Sequence, residues 1–476
     1  MDTYTIDFNK PVHVHFIGIG GISMSGLAAV LLGRGFRVTG SDAKASPVTE
    51  LLEKEGAQVM IGQKAENILP GTDLVVYTAA IHPDNPEFAA AKAANIPMLT
   101  RAELLGQIMD HYPMSVAVAG THGKTTTTSM LSCILLAAGK DPTISVGGML
   151  KEIGGNIRVG ASGNFVTEAC EYTNSFLSLK PKIGIVLNID ADHLDFFKDL
   201  DDIRHSFRLF AEGIHEGGTL IIDRRVPDLK AFTEGLSCRV ITVGPAGSEA
   251  NEDGIAQLSC SFTPVNYRFD EQGAASFELL IDGESFGEFT LHVPGEHNIC
   301  NAAAAIAAAR LMGCSAEECR EGLSRFGGAD RRFQKKGTMA PGVTVIDDYA
   351  HHPTEISATL TAAKNFPHKR VICVFQPHTY TRTQALLEDF AQALTLADEV
   401  VLAPIYAARE KNTIGITSDT LCERILAHGG SAVSLPDFAA IEAHLRGMLA
   451  EGDLLITMGA GDVVRVGEEL LAADAQ

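Results

Sequence analysis

Basic residues are scarce: 38 Lys and Arg stand against 59 Asp and Glu in 476 residues, a formal charge of −21 at pH 7. Such a field repels polyanions and argues against bulk binding to nucleic acid or an anionic membrane, so any phosphate site has to be local. No apolar run approaches the ~18 residues of a spanning helix, and the opening MDTYTIDFNK has no basic segment leading into an apolar one, as a secretory signal would. The nine cysteines are scattered without a C-x-x-C pair, which disfavours a disulfide framework or a zinc site and fits a reducing compartment. A soluble, cytoplasmic protein is the expectation. There is no short-period repeat, and the one low-complexity tract is an alanine run in NICNAAAAIAAARLMG (298–313), which strong helix propensity explains.

What the chain does have is length and two glycine loops. Its 476 residues exceed one ordinary core, so roughly two to four domains are expected. From 12 to about 110, strand-like VHVHFIGIG, FRVTGSD and TDLVVYTA alternate with helical stretches, the pattern of a parallel, doubly wound sheet. MDHYP (109–113) reads as a linker. A second α/β unit starts at 114 and becomes strand-rich between 217 and 293. FGGADRRF (326–333) reads as a hinge, followed by the strands VTVIDDYA, KRVICVFQP, DEVVLAPI and DLLITMGAG. The expected units are 1–112, 113–325 and 326–476, all α/β.

AGTHGKTTTT (119–128) joins an apolar, β-branched segment, MSVAVAG, to a helical one that stops near Gly139. Free backbone N–H groups and the positive end of a helix dipole meet at such a turn and suit a phosphate. Lys124 would reach terminal phosphates, and the Thr125 hydroxyl would hold magnesium. The spacing is Gly120-x-x-Gly123-Lys124-Thr125, a shortened P-loop; an ordinary turn with a solvated lysine is the alternative. In the earlier loop, FIGIGGISMSG (16–26), Gly18-x-Gly20 follows a strand and Asp42 closes the next one, as in a dinucleotide fold. The third fingerprint glycine is replaced by Ser23, so a nicotinamide-dependent oxidoreductase is only a competing reading.

Nine motifs, HFIGIGGISMSGLA, AGTHGKTTTT, EACEYTNSFL, NIDADHLD, PGEHNICNAAAA, GADRRF, DDYAHHPTEI, FQPHTYTR and MGAGDV, run in the order found in the Mur ligases, which this sequence resembles over nearly its whole length. The resemblance implies a Rossmann-like UDP-sugar domain, a central P-loop ATPase-like domain, and a C-terminal Rossmann-like domain closing on ATP and an amino acid. It implies ATP and Mg2+ chemistry: phosphorylation of the lactyl carboxylate of UDP-N-acetylmuramate, then displacement of phosphate by the amine of L-alanine. Gly18, Gly20, Gly21 and Asp42 would hold the UDP-sugar. Gly120, Thr121, His122, Gly123, Lys124, Thr125 and Thr126 would surround the triphosphate. Asn298 and Asn301 would lie near the adenine, with helix capping by Asn298 as the alternative. Arg331 and Asp348 would complete the ATP site.

Catalytic roles fall by the same resemblance on Lys124, Glu168, His193, Arg332, His352 and Arg382, with Thr125, Glu168 and His193 as metal ligands. Glu168 and His193 are each expected at a strand end. His351 and His378 accompany the C-terminal candidates, and Arg382 would fork onto the alanine carboxylate. Three departures stand out. Cys170 replaces an acid of the common EADE pattern; Thr379 stands where some relatives have arginine; and Phe207 lies where others carry a carbamoylated lysine, so no modified lysine is expected. Phe333 after the double arginine and GIGG in the first loop favour the alanine-adding member over the recycling ligase that attaches a whole tripeptide. A nucleotide-binding protein that has lost catalysis is disfavoured because the lysine, acid, histidine and arginines are all present.

Overall fold

The computed structural model describes residues 4–474 except 79–80, 195, 247–260, 271–272 and 409. Three sheets divide the chain into three α/β domains. The first is fully parallel, in the spatial order Gln58–Ile61, Arg37–Asp42, His13–Ile17, Leu74–Tyr77, Met98–Thr100. The strand order reverses beside His13–Ile17, and the first glycine loop leaves that strand at the switch point where open α/β sheets place ligands. His13 and His15 are buried in this strand, which is possible because both ring systems hydrogen-bond the Thr39 hydroxyl and His15 also reaches Glu87.

The second sheet has ten strands. At its heart Met114–Ala119 runs parallel to both Ile183–Val186 and Asn164–Glu168, which fixes the second glycine loop and Glu168 at one edge. Ser261–Phe269, Ala275–Ile281 and Glu284–Thr290 form an antiparallel flank. The helix Glu296–Leu311 is buried almost all round, and its alanines let it lie close to the sheet and to the helix Lys124–Ala137. The third sheet has six strands, with Gln334–Met339 antiparallel to Val343–Asp348 and the rest parallel. Among the described residues no helix is long and apolar enough to cross a membrane, and the eight described cysteines are free. The ninth, Cys260, lies outside the described residues.

One local expectation is corrected and one alternative is set aside. The strand expected to run to His193 stops at Val186. Beyond it Asp190 and Asp192 accept hydrogen bonds from the backbone N–H of Ala191 and His193, a local pairing that competes with a strand ladder. Asn298 does not cap its helix: the helix begins at Glu296 behind Gly295, and Asn298 lies inside the first turn.

Candidate functional site

The buried strand Met114–Ala119 delivers Gly120 to Gly123 to the start of the helix Lys124–Ala137. Gly123, at φ +84°, occupies the N-cap without a side-chain cap, so the first amides of the helix face outward unshielded. A Cβ there would stand 2.7 Å from Asn301 Oδ1, so the glycine also admits the helix carrying Asn301. Lys124 Nζ donates to Gly120 O at 2.6 Å, to Thr121 O at 3.1 Å and to Glu171 at 2.8 Å. Burial works against its charge, but Glu171 and the neighbouring groups outweigh it and raise the pKa.

Glu168 accepts from Gly147 N–H at 2.6 Å and from the Thr125 hydroxyl. Burial raises its pKa, with those donors and the Lys124 and Arg332 charges opposing. His193 sits in the left-handed region at φ +54°, with Nε2 3.7 Å from Glu171 and its ring 4.7 Å from that of Tyr172. Burial lowers its pKa. Glu171, not Glu168, is therefore the carboxylate that touches both Lys124 and His193.

The C-terminal domain closes over this edge. His122 lies between two carboxylates, Asp190 at 3.2 Å and Glu355 at 3.3 Å, one from each domain. Although burial disfavours the charge, hydrogen bonds to Asp190 and Glu355 raise its pKa to about 9. Ligand atoms of His122, Asp190 and His352 lie within 4.8 Å of one another, as a metal site would require. However, both ring nitrogens of His122 face carboxylates, so we read the group as an ionic latch. His352 accepts from Thr354 N–H as the cap of the helix Pro353–Ala363 and bonds Ala191 O at 3.0 Å, while Thr354 donates to Asp190 at 2.6 Å.

A cavity of about 340 Å³ lies beneath this latch, lined by His122, Gly123, Asn298, Asn301, Arg332 and Asp348 among others. Asn298 Nδ2 donates to Pro294 O, and Asn301 Nδ2 to Asn298 Oδ1. Arg332 approaches Glu355 at 3.5 Å and lies over the Tyr349 ring. Burial pushes the Asp348 carboxyl up to about 6, with Phe333 and Ala350 amides donating to it. Arg331 does not line the cavity. At φ +60° it turns back into its own domain, bonded to Asp347 at 2.9 Å and to the Gly459 and Gly461 carbonyls.

A second cavity, about 480 Å³, is lined by Tyr172, Asp192, His193, His378, Arg382 and Glu410 among others. Arg382 grips Asp192 at 2.8 and 3.1 Å and His378 at 3.1 Å. Burial lowers the His378 pKa to about 4. His351 bonds Glu355 at 3.2 Å. Left-handed backbone at His193, Thr379 and Ala408 lines this cavity, strain of the kind found at functional sites. Gly18, Gly20, Gly21 and Asp42 line neither cavity. Gly18 and Ile19 amides donate to Ser41 O, and Gly20 N–H donates to Asp42 Oδ2 at 2.9 Å.

Sequence reasoning did not single out Asp190, Asp192 and Glu355, and gave Glu171 no role. All lie inside quoted motifs, but an acid in a loop is ordinarily solvated, and their cationic partners come from distant segments. Asp223 and Arg225, paired at 2.7 Å beside the first cavity, were also unmarked, with no sequence signal to find them.

Residues 13–113 match the Mur ligase family, catalytic domain; residues 118–309 match the Mur ligase middle domain; and residues 331–461 match the Mur ligase, glutamate ligase domain. A curated UDP-N-acetylmuramate–L-alanine ligase of Agathobacter rectalis is 57% identical over 468 residues, covering 98% of this chain and 99% of its own. The crystal structure of UDP-N-acetylmuramate-alanine ligase MurC from Thermotoga maritima superposes with a TM-score of 0.77 at 26% identity, covering 97% of this chain and 99% of that one. A murein peptide ligase from Psychrobacter arcticus superposes with a TM-score of 0.69 at 26% identity, over 97% and 98%.

Proposed function

The chain belongs to the Mur ligase family, and from that premise we propose that it joins L-alanine to the lactyl carboxylate of UDP-N-acetylmuramate at the expense of ATP. This is the first amino-acid addition in peptidoglycan precursor synthesis. The observation that carries the choice of alanine is 57% identity, over nearly the whole of both chains, to a relative named for that reaction.

A carboxylate is a poor acylating agent, so the lactyl carboxylate attacks the γ-phosphorus of ATP, releasing ADP and forming an acyl phosphate. The alanine amine then attacks the acyl carbon and forms the C–N bond; the C–O bond to phosphate breaks, phosphate leaves with its electron pair, and the nitrogen loses one proton and keeps the other as the amide N–H. Phosphoryl transfer needs positioning and charge stabilisation more than covalent help. Lys124 and Arg332 face the edge where the phosphoryl group would pass. Asn298 and Asn301 serve the nucleotide in the first cavity, and Arg382 receives the alanine carboxylate in the second, exchanging Asp192 for it. His352 and Asp348 place the C-terminal domain over the reacting groups. Arg331 supports that domain, with its contacts to the nucleotide made through Arg332.

The Thr125 hydroxyl and Glu168 carboxylate offer the oxygen donors that magnesium prefers, and His193 with Glu171 forms a second donor pair close by. Magnesium held there would neutralise charge on the transferring phosphoryl oxygens. We assign the UDP-sugar to residues 1–112, ATP to 113–325 and closure to 326–476, and the reaction to the cytoplasm, where both nucleotides are found.

The test is ADP release with ATP, magnesium and UDP-N-acetylmuramate, supplied with either L-alanine or the murein tripeptide. Stoichiometric ADP is expected with alanine alone. Turnover with tripeptide and none with alanine would move the protein to the recycling ligases.

A further inference from the structure

Arg101 is a cation with no role in the site as described. It opens the helix Arg101–Met109, directly after the strand Met98–Thr100, and so lies on the carboxyl edge of the first sheet, the edge that carries the Gly18–Gly21 loop. The same helix packs on the segment Tyr172–Ser178 of the central domain so closely that a Cβ on Gly106 would meet Ser178 O at 2.0 Å. Cys170, between Glu168 and Glu171, feels the charges of both Arg101 and Lys124. Arg101 therefore lies where the first domain meets the central one, close enough to Cys170 to act on the segment that carries Glu168 and Glu171.

Its lack of a partner is what calls for a ligand. The other cations of the site are matched: Lys124 with Glu171, Arg225 with Asp223, Arg331 with Asp347, Arg332 with Glu355, Arg382 with Asp192. Among the described residues Arg101 has no ion pair, side-chain hydrogen bond or ring contact. Glu103, on the next face of its own helix, is committed to the Thr100 amide and hydroxyl at 2.7 and 2.8 Å. Arg101 is partly buried, and burial pulls its own pKa down. A guanidinium taken out of water without a carboxylate is costly, and a bound anion offsets that cost.

We propose that Arg101 binds an anionic group of the nucleotide-sugar substrate, the diphosphate or the lactyl carboxylate, through a charge-assisted fork, and thereby sets the affinity for that substrate. This rests on the reading of the reaction given above.

Arg101→Met, which keeps the reach of the side chain and removes its charge, should raise the KM for UDP-N-acetylmuramate on the order of 30-fold or more, a scale taken from truncating one partner of a buried charge pair. The KM values for ATP and L-alanine should stay within about twofold, and Arg101→Lys should recover part of the loss. Without ligand, the Arg101→Met protein should melt at or above the wild-type temperature, because an unpaired, partly buried charge has gone. Calorimetry with UDP-N-acetylglucosamine separates the two anions: if its affinity falls together with that of UDP-N-acetylmuramate, the diphosphate is the partner, and if it is spared, the carboxylate is. An unchanged KM for the UDP-sugar, an equal rise for ATP, or a lower melting temperature with unaltered kinetics would overturn the proposal. A wild-type protein that binds no UDP-N-acetylmuramate would overturn the parent reading and this one with it.

Discussion

Lys124 shows how one side chain serves both stability and chemistry. Its ammonium is held by Glu171 and two loop carbonyls, so an arriving phosphoryl group has to compete for it. Lys124→Ala should cut turnover on the order of 100-fold, the scale of losing one transition-state donor. It should also lower the melting temperature, because Glu171, whose side chain is 2% exposed, loses its cation. Adding Glu171→Gln should restore the melting temperature but not the turnover, which scanning calorimetry and an ADP-release assay separate. A Lys124→Ala enzyme with nearly full turnover would remove this lysine from the mechanism. Lys124 and Thr125 were legible in the sequence because the loop's backbone, dictated by its glycines, determines what they can do. Glu171, Asp192 and Glu355 were not, because an acid's role depends on which cation folding brings to it, and Arg382 reaches Asp192 across 190 residues.

The strands feeding the two glycine loops were readable because parallel strands buried on both faces are continuous apolar runs. The edges of the sheets were less so. Gln334–Met339 reads QKKGTM, which has no strand signature of its own and is a strand only because Val343–Asp348 pairs with it. At the first loop the structure sharpens what a glycine is for. A Cβ on Gly20 would come within 2.9 Å of both Asp42 Oδ2 and Thr49 Cγ2, so even alanine has to push Asp42 away from the Gly20 amide. Gly20→Ala should therefore raise the KM for UDP-N-acetylmuramate by about tenfold or more, since small misplacements of a positioning group are expensive. The KM for ATP should be unchanged, because the second loop stands on a different sheet. Equal effects on both nucleotides, in a variant that melts normally, would contradict separate duties for the two loops.

Three α/β units were visible in the alternation of strand and helix, but how they meet was not, since the contacts between the last two join distant segments: Thr354 to Asp190, 164 residues apart, and Arg382 to Asp192, 190 apart. One of these contacts, through His122, makes closure depend on pH. His122 is the cation between Asp190 of its own domain and Glu355 of the next, and its pKa is raised from 6.5 to about 9. A raised histidine contributes fully below its unfolded value near 6.5, and its contribution is lost as pH rises through about 9. Glu355, held well below 4.5 by His351 and His122 against the opposing effect of burial, contributes above 4.5 and fails only in stronger acid. The latch should thus be strongest between pH 4.5 and 6.5 and released near pH 9. Small-angle scattering of the ligand-free protein should show a larger radius of gyration at pH 9.5 than at pH 6, through rotation about the segment 326–333. Asp190→Asn should expand the protein already at pH 6, because it removes the carboxylate that holds both His122 and Thr354. ATP and UDP-N-acetylmuramate together should compact either expanded form, as ligands that bridge domains favour the closed state. An envelope indifferent to pH, to Asp190→Asn and to both nucleotides would mean that the domains are fixed and that His122 is a structural ion pair without a part in closure.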